Sequence, residues 1–154
     1  MNAASQPAYS IECSQARQSP EHDQICAWLR DYNWQSNQSF MDLATHDPQF
    51  ESPLLLVAKQ QGQVVGGLIA DQRLTWLRIS IMAVDPQYRR RGIGRQLLTE
   101  AERWAKQHAC RYLYVDTMQY QSPEFYQLAG FQIVGELPDW DSHGHTKFFL
   151  MKTI

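Results

Sequence analysis

A strand, a tight glycine turn and an amphipathic helix follow one another between Leu74 and His108, and this unit constrains the fold more than any other stretch. At about 100° per residue, Ile93, Leu97, Leu98, Ala101, Trp104, Ala105 and His108 fall within an arc of roughly 140°. Polar residues from Arg95 to Gln107 take the rest of the helix. Upstream, Leu74–Val84 alternates as a strand. Leu77, Ile79, Ile81 and Ala83 form an apolar face, and Trp76, Arg78, Ser80 and Met82 form a mixed one. A mixed face in mid-sheet predicts that it looks into a site rather than into a dry core. A helix with one apolar stripe must bury it against another layer, so the unit predicts a mixed α/β architecture.

The junction itself, Val84-Asp85-Pro86-Gln87-Tyr88-Arg89-Arg90-Arg91-Gly92-Ile93-Gly94-Arg95, poses an electrostatic problem. Arg89, Arg90, Arg91 and Arg95 crowd the start of a helix, where the macrodipole is positive and cations are mildly destabilising. The conflict resolves if an anion binds there. Gly92 and Gly94 let the backbone turn tightly and expose N–H groups that have no intrahelical partner. A phosphate would satisfy those donors and neutralise the arginines through charge-assisted hydrogen bonds. The competing reading is an ordinary strand-to-helix turn with solvated arginines. The pattern is not a P-loop, and it is not a dinucleotide fingerprint, because position 97 is Leu rather than Gly.

The remaining elements follow from local signals. Ile11–Cys13 reads as a short strand, and Ser19-Pro20-Glu21 as a capped helix start with Ile25, Cys26, Trp28 and Leu29 on its apolar face. Asn33–Asn37 is expected to break that helix. Phe40, Met41 and Leu43 then predict a second helix, ending near Asp47-Pro48. Leu54–Lys59 and Gln63–Asp71 read as a hairpin around Gln60-Gln61-Gly62. Tyr112–Thr117 is a strand, Glu124–Leu128 a short helix ended by Gly130, and Phe131–Leu137 and Lys147–Met151 are two final strands. The 154 residues suit one domain over residues 10–154 behind a flexible N-terminus, residues 1–9.

Composition removes several classes of function. Hydrophobic residues make up 44% and charged residues 19%, which argues against disorder. A net charge of −2 and a pI near 6.2 argue against a nucleic-acid partner. The cysteines Cys13, Cys26 and Cys110 have no C-x-x-C spacing, so a reduced, intracellular protein without a zinc motif is expected. The N-terminus has neither a charged start nor an apolar stretch, and the longest apolar runs are too short to span a bilayer. These features point to a cytoplasmic protein with no membrane partner.

The segment Arg89-Arg90-Arg91-Gly92-Ile93-Gly94 resembles the [RQ]-x-x-G-x-[GA] signature of the GNAT N-acetyltransferases, which follows a strand and opens a helix. Met82-Ala83-Val84-Asp85-Pro86-Gln87-Tyr88 is similar to that family's L-A-V-x-P-x-Y strand end. Glu124-Phe125-Tyr126-Gln127-Leu128-Ala129-Gly130-Phe131 resembles its L-Y-x-x-x-G-F segment. The resemblance spans residues 74–134 and implies a single-domain mixed sheet of six to seven strands flanked by about four helices.

It also implies an acetyl-CoA-dependent enzyme that acetylates a primary amine of a small molecule or peptide. The CoA pyrophosphate would sit on the N–H groups of Arg91, Gly92, Ile93, Gly94 and Arg95, with Arg89 and Arg90 adding contacts. The pantetheine arm would run along the backbone of Met82, Ala83 and Val84, where a free amide near Met82 would serve the oxyanion. Tyr126 would be the general acid to the leaving thiolate. Tyr126 also reads as a core aromatic beside Phe125 and Phe131, and Tyr120 is a weaker candidate for the acid. Gln119 stands where many members carry a CoA-contacting asparagine. Arg78 occupies the position where many members place a glutamate base. It reads equally as a binder of an acceptor carboxylate or phosphate and as one half of a salt bridge.

With Arg78 in that position, His143 and His145 become alternative bases, and Ser80, on the same strand face as Arg78, a further substrate-binding candidate. His143 and His145, close to Asp139 and Asp141, make only a weak metal pattern, and no metal is expected. His22, His46 and His108 have no supporting context. Alternatives kept open are a non-catalytic acyl-CoA-binding module and a toxin-like acetyltransferase of aminoacyl-tRNA. A homodimer is a further expectation from the family, with Lys147–Met151 adding to a partner's sheet.

Overall fold

The computed structural model describes residues 9–47 and 51–154. Almost all of the expected N-terminal segment, and Pro48, lie outside them. The chain divides into two compact units between His46 and Asp47.

The first unit holds α1 (Pro20–Ser36) and α2 (Gln38–His46). Ser19 caps α1, its hydroxyl accepting the His22 N–H at 3.1 Å. The helix runs through Asn33 instead of breaking there and stops at Asn37, whose N–H donates to the Asn33 carbonyl at 2.8 Å. Asn37 Oδ1 then accepts the Phe40 N–H at 3.3 Å and opens α2. Asparagine is a mild helix former but a strong cap, so one residue ends one helix and starts the next. Ile11–Cys13 forms no strand and is exposed, since no neighbouring strand gives it a ladder partner.

The second unit is a six-stranded sheet with two further helices. In chain order these are β1 (Glu51–Gln60), β2 (Gln63–Arg73), β3 (Trp76–Val84), α3 (Ile93–Gln107), β4 (Tyr112–Met118), α4 (Pro123–Leu128), β5 (Gln132–Leu137) and β6 (Lys147–Thr153). The spatial order is β1-β2-β3-β4-β6-β5, and β3–β4 is the parallel pair. Gln61 and Gly62, with φ of 51° and 82°, make the two-residue turn of the β1–β2 hairpin. A second tight turn at Leu74-Thr75 starts β3 two residues later than the alternation suggests. β6 lies between β4 and β5 with both edges paired, so it is not open to a partner's sheet as expected.

The core forms where α3 lays Leu97, Leu98, Ala101 and Ala105 on the sheet. Leu68, Ala70, Leu77, Ile79, Leu113 and Leu150 meet it from the strands. The periodicity assigned this face correctly from Ile93 to Ala105 on α3, whereas His108, counted with it, is the exposed C-cap residue. On β3 the periodicity failed halfway. Ile69 pairs with Ile81 while Ala70 pairs with Ile79, so Ser80 is an extra residue, a β-bulge. The bulge swaps the faces. Leu77 and Ile79 point into the core, but beyond Ser80 it is Met82 and Val84 that pack inward, leaving Ile81 and Ala83 exposed.

One polar tie closes this core. Lys152 Nζ donates to Glu102 Oε2 at 2.6 Å and to the Ala129 carbonyl at 2.9 Å, linking β6, α3 and the end of α4. Lys106 Nζ holds the other Glu102 oxygen at 2.8 Å. Burial works to raise the Glu102 pKa, but the hydrogen bonds and charges of the two lysines outweigh it and hold the carboxyl below its ordinary 4.5. A lowered carboxyl adds stability above its unfolded pKa and loses it as pH falls through the folded value. Lys152→Met is therefore expected to cost about 1–2 kcal/mol at pH 7. In thermal unfolding, the gap to the unmodified protein should shrink as the pH falls below the ordinary carboxylate range.

Candidate active site

The parallel pairing of β3 and β4 runs from Trp76↔Tyr112 to Ile79↔Val115 and stops. Beyond it the strands part, and the bulge at Ser80 sits where they do. The Asp85 N–H donates to the Val65 carbonyl on the β2 side at 3.0 Å. Strand alternation then turns the backbones of Met82 and Val84 toward the gap, where they have no ladder partner. The result is a cleft of about 1060 Å³ between β3, the loop before α3, β4 and α4.

The cleft brings together most of the expected cofactor contacts. Met82, Ala83, Val84, Arg89, Arg90, Gly92, Ile93, Gly94 and Arg95 line it, with Ser80 and Tyr126. Gly92 is the N-cap of α3 in the left-handed region, φ 82°, and no side chain caps the helix. The first intrahelical bond is Gln96 N–H to the Gly92 carbonyl, so the N–H groups of Ile93, Gly94 and Arg95 point out of the helix uncapped. Arg90 is also left-handed, φ 61°, an uncommon conformation for a side chain of its size. Arg89 Nε donates to the Val84 carbonyl at 3.1 Å. Among the described residues, none of Arg89, Arg90, Arg91 and Arg95 forms an ion pair with an acid. Three of these cations, Arg89, Arg90 and Arg95, line the cleft beside three unmet donors, an arrangement that can hold an anion. Arg91 turns away and stacks on the Tyr88 ring, 5.1 Å from its centroid.

Tyr126 is 7% exposed and packs edge-on between Phe125 and Phe131, with centroids at 5.3 and 5.7 Å. The ring belongs to the core and also lines the cleft. Its hydroxyl has no hydrogen bond among the described residues, yet no buried side-chain polar atom lacks a partner. The hydroxyl is therefore the part of the side chain that reaches the cleft. Burial pushes its pKa above the ordinary 10.0, so it carries its proton at neutral pH.

Other expected residues are placed differently. Gln119 does not line the cleft. Its Oε1 accepts the Thr146 N–H at 3.2 Å and its own N–H donates to the Thr146 carbonyl at 2.8 Å, fastening the segment after β4 to the start of β6. Gln121 lines the cleft instead, its amide oxygen accepting the Met118 N–H at 2.8 Å. Arg78 reaches across to Asp116, 3.3 Å away, and Lys147 grips the other Asp116 oxygen at 2.7 Å. Burial would raise the Asp116 pKa, but Lys147 and Arg78 hold it below the ordinary 3.8.

His143 and His145 are both organised by Asp141, whose Oδ1 accepts both backbone N–H groups, at 3.0 and 3.2 Å. Its Oδ2 pairs with His145 Nδ1 at 2.7 Å. The His145 ring meets Tyr120, edge-on at 5.1 Å, and Tyr120 lines the cleft. No group of three or more His, Cys, Asp or Glu among the described residues is arranged to hold a metal. No helix among them is long and apolar enough to cross a membrane. Asp116 in the cleft wall and Asp71 beside Ser80 were not legible in the sequence, because only the strand register brings them next to Arg78 and Ser80.

Known proteins resemble this chain in sequence and fold. Residues 15–131 match the model of the Acetyltransferase (GNAT) family. The chain is 31% identical over 96 residues to a blasticidin-S acetyltransferase of Streptomyces morookaense, covering 62% of this chain and 70% of that protein. An acetyltransferase from Bacillus cereus ATCC 14579 superposes with a TM-score of 0.71 at 26% identity, over 93% of this chain and 98% of that one. A GNAT family acetyltransferase from Elizabethkingia anophelis with acetyl-CoA bound gives a TM-score of 0.60 at 21% identity, over 67% of this chain and 77% of that one. With the splayed strands, the uncapped helix and the family match in agreement, this chain belongs to the GNAT acetyltransferase family, whose members transfer an acetyl group from acetyl-CoA to an amine.

Proposed function

We propose that the chain acetylates a primary amine of a small molecule or a peptide, with Tyr126 as the general acid. The observation that carries this reading is the junction of two features in one cleft, an unneutralised anion site at the start of α3 and a protonated, unpartnered Tyr126 hydroxyl. Acetyl-CoA fits the residues present. The uncapped N–H groups of Ile93, Gly94 and Arg95 and the side chains of Arg89, Arg90 and Arg95 would hold its pyrophosphate. The unpaired edge of Met82–Val84 would take its amide-bearing arm as an added strand.

When bound, acetyl-CoA supplies an activated acyl group and a thiol leaving group. The Met82 N–H donates to the acyl oxygen as negative charge builds there. Tyr126 Oη holds the proton that the departing sulfur requires. The blasticidin-S acetyltransferase relative makes blasticidin S the first acceptor to try.

Acetyl-CoA at about 100 times its Kd is expected to stabilise the protein by about 2.7 kcal/mol. In a thermal-shift titration that is a rise of several degrees. Release of free thiol across a panel of amines then reports transfer. An absent shift at saturating acetyl-CoA would remove the cofactor reading, and a shift without thiol release on any amine would remove the transfer reading.

A further inference from the structure

The residue at the strand position often held by a carboxylate is Arg78, and Arg78 is already engaged by Asp116. A carboxylate nevertheless stands beside that position. Asp71, on β2, is the direct register partner of Arg78. Ser80, the bulged residue in the cleft wall, donates its hydroxyl to Asp71 Oδ2 at 3.2 Å. We propose that Asp71 is the proton acceptor for the incoming amine, acting through the Ser80 hydroxyl. This rests on the acetyl-transfer reading above.

The charges around Asp71 favour that role. On its own strand Arg73 is paired with Glu51 of β1 at 3.7 Å, and across the ladder Arg78 is paired with Asp116 of β4. Among the described residues Asp71 forms no ion pair, and its one side-chain hydrogen bond is to Ser80. It is an unneutralised negative charge on the strand next to the cleft, suited to attract an ammonium group. Asp116 lines the cleft but is neutralised by two cations, so it is a poor attractor and a poor base. The bulge matters because it gives Ser80 a place in the cleft wall while its hydroxyl still reaches β2.

The proton accounting closes. One N–H bond of the alkylammonium breaks toward Ser80 Oγ as the Ser80 proton moves to Asp71 Oδ2. The nitrogen keeps the electron pair, which then forms the bond to the acyl carbon as the carbon–sulfur bond breaks; the sulfur takes the Tyr126 proton, and the second N–H proton, lost from the acylated nitrogen, passes through water to restore the Tyr126 hydroxyl. Asp71 is exposed and returns its proton to water.

The test compares two acceptors with saturating acetyl-CoA, benzylamine, cationic at neutral pH, and aniline, neutral there. Asp71→Asn is expected to lower kcat/KM for benzylamine about 100-fold and for aniline by less than about threefold. Ser80→Ala should give the same asymmetry, and Asp71→Glu should restore part of the benzylamine rate. Raising the pH, which delivers benzylamine neutral, should narrow the Asp71→Asn deficit. Without acetyl-CoA present, the thermal shift produced by benzylamine should fall in Asp71→Asn, while that produced by acetyl-CoA alone should be retained. Equal losses on both amines, or no loss on benzylamine, would overturn the proposal. No thiol release from the unmodified protein with these two amines or with any other amine of the panel would instead overturn the transfer reading, and this proposal with it.

Discussion

Tyr126→Phe is expected to lower kcat about 100-fold or more while acetyl-CoA affinity stays within about twofold. The substitution removes one oxygen. That oxygen makes no hydrogen bond among the described residues, so no partner there is left unsatisfied and the fold should be unharmed. The ring stays between Phe125 and Phe131, where its packing contributes to the core. What is lost is a proton donor in the cleft. The pH profile gives a second arm. Because burial raises the phenol's pKa, the acid form persists above pH 10, and the alkaline limb of kcat should lie above an ordinary tyrosine's. A raised folded pKa also adds stability that is full below the unfolded value and lost as pH rises through the folded one. The unmodified protein should therefore lose stability faster than Tyr126→Phe above pH 10. A kcat equal to that of the unmodified protein would show that another group supplies the proton.

What the sequence revealed divides along a physical line. Period and punctuation are local signals. They located the α3 stripe from Ile93 to Ala105, the hairpin at Gln61-Gly62, the Ser19 cap and the glycine turn at Gly92. Register is not a local signal. The bulge at Ser80 carries no glycine or proline to announce it, so alternation put Ile81 and Ala83 on the apolar face and Met82 on the mixed one, whereas Met82 packs inward and Ile81 and Ala83 are exposed. The same blindness hid Asp71. Its partners lie seven and nine residues away along the chain, at Arg78 and Ser80, and only strand pairing brings them together. Gln119 and Gln121 show the limit from another side. Both suit an amide contact with a cofactor, and which one faces the cleft depends on the segment joining β4 to α4 and on Thr146. Arg78 pairs with Asp116, the salt bridge being one of the two readings between which the chain alone was balanced.

Opposite signs are expected when charge is removed from the anion site, and this is the sharpest test of why the arginines are there. Arg90→Asn with Arg95→Gln takes two cations from the positive end of α3. Asparagine tolerates the left-handed φ of 61° at position 90, so the substitution adds no backbone strain. Among the described residues neither arginine has an acidic partner to strand. Without ligand, the double variant should be more stable by about 0.5–2 kcal/mol, from relief against the macrodipole. That corresponds to roughly 2–4 °C in Tm per kcal/mol. Acetyl-CoA binding should move the other way. Losing two charge-assisted contacts to the pyrophosphate should cost about 3 kcal/mol or more, on the order of 100-fold in Kd. Both effects should shrink at high salt, because these side chains are exposed to screening. An ordinary turn with solvated arginines predicts the first effect without the second. A fall in ligand-free Tm would mean that the arginines stabilise the loop itself, and an unchanged Kd would mean that the start of α3 is not where the pyrophosphate binds.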